Sequence, residues 1–284
     1  MRIDLHTHSS SSDGTDSPAE VVRAAADAGL QVVALTDHDT TAGWAEAADA
    51  LPAGVSLVRG MEMSCEGRGA DGLPVAVHLL AYLFDPADAA FARERERLRA
   101  ERTTRLRGMA EKMAADGLPI DPDALMAAVG PAAGRPHLAR ALVDAGVVGS
   151  VDEAFADLLR TRGRYYVHKA DTPLRDAVRM VAAAGGVSVL AHPRAVARGR
   201  LMDIGQIGEL VADGLGGVEV AHHHHAPEDE RLLRGIAADL DLIVTGSSDY
   251  HGHNKSVVLG EFVTAPEQYE RLVAAASGVE VVTG

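Results

Sequence analysis

Short apolar runs alternate along the chain with segments in which apolar residues recur at helical spacing. Seven runs have the length of strands, and they cover residues 2–6, 31–35, 56–62, 74–80, 187–191, 217–220 and 242–245. An alternation of strands and helices is typical of a parallel α/β fold. We therefore expect one α/β barrel rather than a sandwich or a helical bundle.

Helix boundary signals support this division. Ser17, Pro18 and Glu20 have the order of an N-cap, a first helical residue and a capping-box partner, and Gly29 ends the predicted helix. Thr172 and Pro173 predict the start of a second helix, which runs toward Gly185.

The segment 91–169 interrupts the alternation, because it has no clear strand pattern and resembles several helices in succession. Residues 91–114 hold eight basic and four acidic side chains. We interpret 91–169 as a helical insertion between barrel strands, and residues 1–90 and 170–284 as the barrel. The mixed charges favour a solvated helix face over a track for a phosphate backbone.

Polar side chains fall at or near the ends of the predicted strands. They include His6, His8, Asp37, His38, Glu62, His78, His192, Glu219, Asp249 and His251. The carboxyl ends of barrel strands share one face, so these residues are expected to meet. His6 and His8 point to the same side because strand residues alternate. Imidazole and carboxylate ligands suit Zn, Mn or Fe, so the pattern predicts a metal centre.

The composition excludes some classes of function. The 284 residues include 27 Lys+Arg and 41 Asp+Glu, a net charge of −14, which excludes a general nucleic-acid coat or a membrane-surface binder. Cys65 is the single cysteine, so an intrachain disulfide and a thiolate metal cage are excluded, and we expect a small buried residue there. The first residues do not have the pattern of a signal peptide, and no apolar run approaches about 20 residues. We expect a cytoplasmic protein without membrane contact.

The motifs, taken in order, resemble those of the PHP (polymerase and histidinol phosphatase) family. The residues that carry the resemblance are His6-Thr7-His8, Ser12-Asp13-Gly14, Thr36-Asp37-His38-Asp39, Gly60-Met61-Glu62, His78-Leu79-Leu80-Ala81-Tyr82, Ala191-His192-Pro193 and Ser248-Asp249-Tyr250-His251-Gly252. The resemblance implies a distorted (β/α)7 TIM-like barrel with two or three divalent ions (Mn, Zn or Fe).

The resemblance also implies a set of ligands. The first ion would be held by His6, His8, Glu62 and Asp249, the second by Glu62, His78 and His192, and the third by Asp13, His38 and His251. Many relatives have a histidine where this chain has Asp13. Asp37 flanks the ligand His38 and is a candidate catalytic residue with a supporting role. His225 is the candidate leaving-group acid or phosphate contact, and His222, His223 and His224 are expected to be solvated loop residues.

Within the family, the chain looks most like small phosphatases of nucleoside 3′,5′-bisphosphates and 5′-nucleotides, some of whose relatives trim RNA from the 5′ end. This narrower resemblance is carried by three segments, which are residues 134–137, residues 166–169 and the segment from Gly217 to His225 and Glu228. It implies a metal-dependent phosphoesterase that removes the 3′-phosphate through a metal-bound hydroxide.

Arg135, His137 and Lys169 are the candidate substrate-binding residues, and the insertion is expected to cap the site. Pro136 suits the first position of a helix that runs to Asp144 or Ala145, with Gly146 at its end. A helix N-terminus attracts anions, and arginine binds phosphate with two hydrogen bonds. We expect the insertion to overhang the metal face, because its flanking strands are expected to end there.

Several alternatives stay open at this point. They are a 5′-3′ exoribonuclease acting on short RNA, a phosphatase of the histidinol-phosphate type, a polymerase-associated proofreading module, an amidohydrolase and a non-catalytic binding module. An amidohydrolase often needs a bridging carbamylated lysine, but none of Lys112, Lys169 and Lys255 ends a metal-site strand. The expected partner is a small nucleotide, with short RNA as a second option and no obligate protein partner.

Overall fold

The structure is a computed structural model, and it describes residues 1–129, 133–196 and 199–284. The strands in this part of the chain are β1 Ile3–Thr7, β2 Val32–Leu35, β3 Ser56–Arg68, β4 Pro74–Tyr82, β5 Thr172–Pro173, β6 Val187–Leu190, β7 Gly217–Ala221, β8 Ile243–Gly246 and β9 Val282–Thr283. All seven predicted strands are present. Sequence reasoning missed the short strands β5 and β9, and it ended β3 six residues too early.

The helices lie between the strands and in the predicted insertion. They are α1 Pro18–Asp27, α2 Trp44–Asp49, α3 Ala89–Ala115, α4 Pro122–Ala128, α5 Arg135–Asp144, α6 Val151–Ala156, α7 Leu174–Ala183, α8 Gln206–Ala212, α9 Pro227–Asp239 and α10 Pro266–Ala275. The predicted capping box of α1 is present, because Ser17 accepts from the Glu20 N–H and the Glu20 side chain accepts from the Ser17 N–H. Helix α5 begins at Arg135, one residue before the predicted start at Pro136, and ends at Asp144, one of the two predicted ends.

The sheet forms a nearly closed barrel in the order β1-β2-β3-β4-β6-β7-β8. A parallel bridge between Thr7 and Tyr250 connects β1 to the segment after β8. β5 and β9 pair with β3 outside this path. The α/β barrel fold is therefore confirmed.

The expectation of a wholly parallel sheet is wrong at β4, which runs antiparallel to both β3 and β6. A turn at residues 69–73 joins β3 to β4, and Gly72 in it has φ +77°. Such a turn is far too short for the helical crossover that a parallel pair requires, so the two strands form a hairpin. As a result, β4 ends at the face opposite to the one where β1, β2 and β6 end.

The insertion therefore leaves the barrel on the face opposite to the one we expected. Phe91, near the start of α3, packs on Phe84 just after β4, with 4.7 Å between the ring centroids. The 27 residues of α3 extend about 40 Å at 1.5 Å per residue. Arg102 lies about 20 Å along the helix from Ala89 and contacts Asp39 and Ser64, beyond the carboxyl end of β2 and in the outer half of β3.

The insertion has its own apolar cluster. It includes Leu106, Met109 and Met113 of α3, and Leu138 and Leu142 of α5. Every element found at 91–169, outside the gap at 130–132, is helical. In the described ranges, no helix has both the length and the apolar character to cross a membrane.

Candidate metal centre

Glu62 lies at the centre of a cluster of histidines. Its Oε2 atom is 3.2 Å from His6 Nε2, 3.0 Å from His8 Nε2 and 3.2 Å from His38 Nδ1, and its Oε1 atom is 2.7 Å from His78 Nδ1 and 2.9 Å from His192 Nε2. These five histidines come from the region of four strands, β1, β2, β4 and β6. The barrel thus brings together residues up to 186 positions apart in the sequence.

The first predicted ligand group is assembled by β1, β3 and the segment after β8. His6 Nε2 and His8 Nε2 are 3.1 Å apart, and each lies 3.5 Å from Asp249 Oδ1. With Glu62 they form a group that could hold a metal ion. A tetrahedral ion with ligands at about 2.0–2.1 Å has ligand atoms about 3.3–3.4 Å apart. The separations in the structure match this spacing closely.

Two orphaned atoms support the fit to a metal. Glu62 Oε2 is buried and accepts no hydrogen bond from the described residues, although three imidazole nitrogens lie 3.0–3.2 Å from it. His38 Nδ1 is also buried without a hydrogen-bond partner in the same part of the chain. Buried polar atoms without partners are costly, and a cation between them would satisfy both.

The electrostatics keep Glu62, His38 and His251 in their metal-binding forms. Burial alone would raise the pKa of the Glu62 carboxyl. The nearby His78, His38 and His6 outweigh burial and hold this pKa well below its usual range. Burial lowers the pKa of His38 well below the usual value and that of His251 to about 4. These two imidazoles are therefore neutral at pH 7 and have a lone pair to offer.

The third predicted group also comes together, with one addition. Asp13 Oδ1 lies 3.3 Å from His251 Nε2 and 3.6 Å from His8 Nδ1, and Asp13 Oδ2 lies 3.7 Å from His38 Nε2. His8 and His38 thus face Glu62 with one ring nitrogen and Asp13 with the other. The aspartate at this position still completes a four-residue group that could hold an ion.

The second predicted ligand group is less compact than the first and the third. His78 and His192 both contact Glu62 Oε1, as expected for ligands that share a bridging carboxylate. The compact groups, however, join His78 with Glu62 and His38, and His192 with His6 and Glu219.

Glu219 is a supporting residue to which sequence reasoning gave no role. Its Oε1 atom is 3.1 Å from His6 Nδ1, and its Oε2 atom accepts a 2.7 Å hydrogen bond from the His192 N–H. Ser247 donates to it as well. Such a partner fixes the tautomer and orientation of a ligating imidazole. A glutamate inside the otherwise apolar strand β7 was the visible signal.

Asp37 lies behind the ligands and accepts hydrogen bonds from the Ser9 N–H (2.8 Å), the Ser9 hydroxyl (2.6 Å) and the Ser12 hydroxyl. Ser12 also lies 3.4 Å from both His8 Nδ1 and Asp13 Oδ1. Asp37 therefore orders the loop that carries Asp13. Its role as a supporting catalytic residue stays a prediction.

The histidine run 222–225 differs from the expectation. His222 was expected to be solvated, but it is fully buried, with Nε2 3.3 Å from Asp249 Oδ2. A register shift between Glu219 and Ala221 in the β7/β8 pairing precedes it. His223 and His224 are partly buried, so they are not freely solvated either.

His225 is held by the backbone. Its Nδ1 donates to Val220 O at 2.7 Å, and its Nε2 accepts from the Arg194 N–H at 3.2 Å. Both ring nitrogens are therefore engaged, and its role as a leaving-group acid stays a prediction. Lys255, which sequence reasoning did not connect to the site, has Nζ 2.5 Å from Asp249 Oδ2.

The insertion contacts the loop next to the metal centre through Arg102. This side chain is 5% exposed, pairs with Asp39 and donates to Ser64 Oγ at 2.7 Å. Burial opposes ionisation of Asp39, but Arg102 and Lys169 outweigh it and lower its pKa strongly. The interpretation of α3 as a solvated face is therefore wrong here, because this turn of the helix faces the barrel.

The predicted substrate residues lie on the insertion and at its end. Arg135 donates to Leu159 O at 3.0 Å and its guanidinium lies 5.3 Å from the centre of the Phe155 ring. His137 Nδ1 accepts from the Gly134 N–H at 3.1 Å. Lys169 is buried and pairs with Asp171.

Comparisons with known proteins agree with this site. Residues 4–117 match the PHP domain. The chain is 35% identical over 253 residues to the 3′,5′-nucleoside bisphosphate phosphatase of Chromobacterium violaceum, covering 88% of this chain and 87% of that protein. It is 32% identical over 261 residues to the 5′-3′ exoribonuclease of Haemophilus influenzae, covering 88% and 90% respectively.

A solved structure shares the whole fold. The crystal structure of an inferred metal-dependent phosphoesterase from Bifidobacterium adolescentis has a TM-score of 0.89 and 37% identity, covering 97% of this chain and 96% of that one. Fold, site and relatives together define a metal-dependent phosphoesterase. The chain belongs to the PHP family.

Proposed function

We propose that this enzyme removes the 3′-phosphate of nucleoside 3′,5′-bisphosphates. The observation that carries the proposal is the carboxylate of Glu62, buried among five histidines within a chain that is 35% identical to a phosphatase named for this substrate. We keep the predicted ligand assignment, in which Glu62 is shared between two ions.

We propose that these ligand groups bind two or three divalent ions, with Mn, Zn and Fe as the candidates. When bound, such ions supply positive charge for the phosphate oxygens and lower the pKa of water. Asp13, Glu62, Asp249 and the supporting Glu219 contribute four negative charges, so three ions would leave these groups positive and two would leave them neutral. The negative charge elsewhere on the chain is screened within about 8 Å at physiological salt.

The chain's own residues have three tasks in this proposal. Glu219 and Asp37 hold the ligands His6 and Asp13 in place through the contacts described above. His225 is the candidate for contact with the leaving group. Arg135, His137 and Lys169 bind the substrate from the insertion.

We further propose that residues 91–169 act as a substrate cap on a barrel of residues 1–90 and 170–284. The pairing of Arg102 with Asp39 supports this assignment, because Asp39 directly follows the proposed ligand His38. A capped cleft suits a mononucleotide or a short RNA end and should exclude a folded duplex.

A second candidate function is 5′-3′ trimming of short RNA, favoured by the arginines of α3 and the Haemophilus influenzae relative. Three of these arginines, Arg97, Arg102 and Arg107, already pair with carboxylates. If these arginines bind the phosphate backbone of RNA, the cleavage rate of a five-nucleotide RNA should fall more steeply with salt than the rate of bisphosphate hydrolysis. Equal slopes would remove this candidate.

The test is a substrate panel on protein stripped of metal and then reconstituted with Mn²⁺, Zn²⁺ or Fe²⁺. We expect phosphate release from nucleoside 3′,5′-bisphosphates to exceed that from an aryl phosphate, and Glu62→Gln to abolish it. Glu209→Gln is the matched control, because Glu209 is exposed and pairs only with Arg68 among the contacts described. Activity that survives chelation, or that survives in Glu62→Gln, would contradict the proposal.

A further inference from the structure

Three consecutive histidines form a second cluster of imidazoles beside the metal centre. His222, His223 and His224, the histidine triplet, directly follow β7, and one nitrogen of each lies within 4.8 Å of a nitrogen of the other two. Their ring centroids are 3.9–5.4 Å apart. His222 is fully buried, and the other two are partly buried. None of the three side chains belongs to the Glu62 centre as assigned above.

His222 has the orientation of a metal-binding imidazole with a carboxylate partner. Its Nδ1 accepts from the His224 N–H at 3.1 Å, so Nδ1 has the lone pair and Nε2 carries the proton. Nε2 donates to Asp249 Oδ2 at 3.3 Å. A ligating histidine usually gives its other N–H to a carboxylate in this way. An ion at Nδ1 would take the place of the His224 N–H and leave the hydrogen bond to Asp249 intact.

His223 adds a buried ring nitrogen. Its Nδ1 atom is buried and makes no hydrogen bond with any described residue. Burial, followed by the neighbouring His222 and His224, lowers the pKa of His223 to about 3. The ring is therefore neutral at pH 7 and has a lone pair to offer. A buried nitrogen without a partner is costly, and a metal ion would satisfy it.

The chemistry of the triplet indicates which ions it would take. The groups around Glu62 and Asp13 include carboxylates, whereas this group consists of imidazoles alone. Lys255, whose Nζ lies 2.5 Å from Asp249 Oδ2, adds positive charge beside it. A site without negative charge of its own depends on the affinity of the metal for nitrogen. That affinity is lowest for Mn²⁺ among the divalent first-row metals and much higher for Zn²⁺ and Ni²⁺.

We propose that the histidine triplet is an accessory site for one Zn²⁺ ion, separate from the Glu62 centre and coupled to it through Asp249. Asp249 Oδ2 accepts from His222. Asp249 Oδ1 lies 3.5 Å from the Nε2 atoms of the proposed ligands His6 and His8. The coupling rests on the proposed ligand role of Asp249, whereas the site itself does not.

The coupling has a definite sign. An ion on His222 Nδ1 makes the Nε2 proton more acidic and draws electron density from the Asp249 carboxylate, which then becomes a weaker ligand. The ion also repels the ions of the Glu62 centre. Because coupling between two sites is reciprocal, each site binds more weakly when the other is filled. Zinc in excess of the Glu62 centre should therefore slow the enzyme.

The test of the site is a count of bound ions. Metal-free wild type, His223→Gln and His224→Gln are titrated with Zn²⁺ against a chromophoric chelator. In each variant we expect one of the zinc ions of the wild type to bind at least about tenfold more weakly, with Mn²⁺ binding unchanged. His253→Gln is the matched control, because His253 is exposed and is in none of the ligand groups found among the described residues.

Two results would overturn the site. One is an equal zinc count and affinity in the wild type and both triplet variants. The other is an equal loss in His253→Gln, which would indicate adventitious binding to surface histidines. Unchanged Mn²⁺ binding by the variants shows that they are folded and that the Glu62 centre is intact.

The test of the coupling is phosphate release at rising free Zn²⁺. The wild type should lose activity over the range in which the additional ion binds, and His223→Gln should need about tenfold more zinc for the same loss. Identical inhibition of the two proteins would overturn the coupling. If the wild type releases no phosphate at any metal concentration, the proposed function fails, while the ion count still decides the site.

Discussion

Glu219→Gln tests whether the hydrogen-bond partner of a proposed ligand controls metal affinity. The variant keeps the shape of the side chain and removes its charge. In the wild type, Glu219 Oε1 lies 3.1 Å from His6 Nδ1, and both side chains are fully buried. Glutamine keeps one acceptor oxygen for the two N–H groups, of His6 and of His192, that Glu219 accepts from, and water has no access to replace the other oxygen or the lost charge.

The expected size follows from this geometry. Loss of such a partner typically lowers metal affinity 10-fold to 100-fold, about 1.4–2.8 kcal/mol. We expect a change of this size in the dissociation constant of the most tightly bound ion. We also expect the rate at saturating metal to change much less, because Glu219 does not contact the substrate in this proposal.

The assay is titration of metal-free protein against a chromophoric chelator, followed by activity at each metal concentration. Glu209→Gln makes the same chemical change at an exposed site, where the carboxylate pairs with Arg68 at 2.8 Å, and it should bind metal like the wild type. The reasoning is refuted if Glu219→Gln binds metal with wild-type affinity, or if the control loses as much as the variant.

Three further predictions concern the ligands, the insertion and pH. Asp249→Asn or His6→Ala should abolish phosphate release while the circular dichroism spectrum stays that of the wild type. Full activity of the metal-saturated Asp249→Asn variant would show that Asp249 is not a ligand. Arg135→Ala should raise KM for bisphosphates about tenfold or more and leave KM for an aryl phosphate nearly unchanged. Equal losses on both substrates would indicate that Arg135 contacts the reacting phosphate or stabilises the fold. Burial lowers the pKa of His6 and His8, but the surrounding carboxylates outweigh it and raise both above 6.5. Metal must therefore displace protons, and its affinity should rise with pH until both imidazoles are deprotonated, by about tenfold per pH unit for each proton released. A chelator titration that gives a pH-independent constant would contradict this.

The parts of the site that the sequence predicts are those fixed by local rules. The His-x-His pattern at a strand end places His6 and His8 on one side, and the barrel brings Glu62 and Asp249 to the same face. These steps need only strand periodicity and the fold class. The capping box of α1 is local in the same way.

The parts that could not be predicted depend on pairing between distant segments. The reversal of β4 follows from a turn at 69–73, within a stretch that the hydrophobic pattern left unassigned. The buried position of His222 comes after a register shift in β7, and such irregularities break the alternation on which a sequence prediction relies. The contact of Arg102 with Asp39 joins residues 63 positions apart and leaves no periodic signal.

The central claim is that a metal centre around Glu62 removes the 3′-phosphate of a nucleoside 3′,5′-bisphosphate. The most direct measurement is phosphorus NMR of the products formed by metal-reconstituted protein from such a bisphosphate. We expect inorganic phosphate and nucleoside 5′-monophosphate in equal amounts, and neither product after chelation. Release of nucleoside 3′-monophosphate instead, or an unchanged substrate at full metal occupancy, would contradict it.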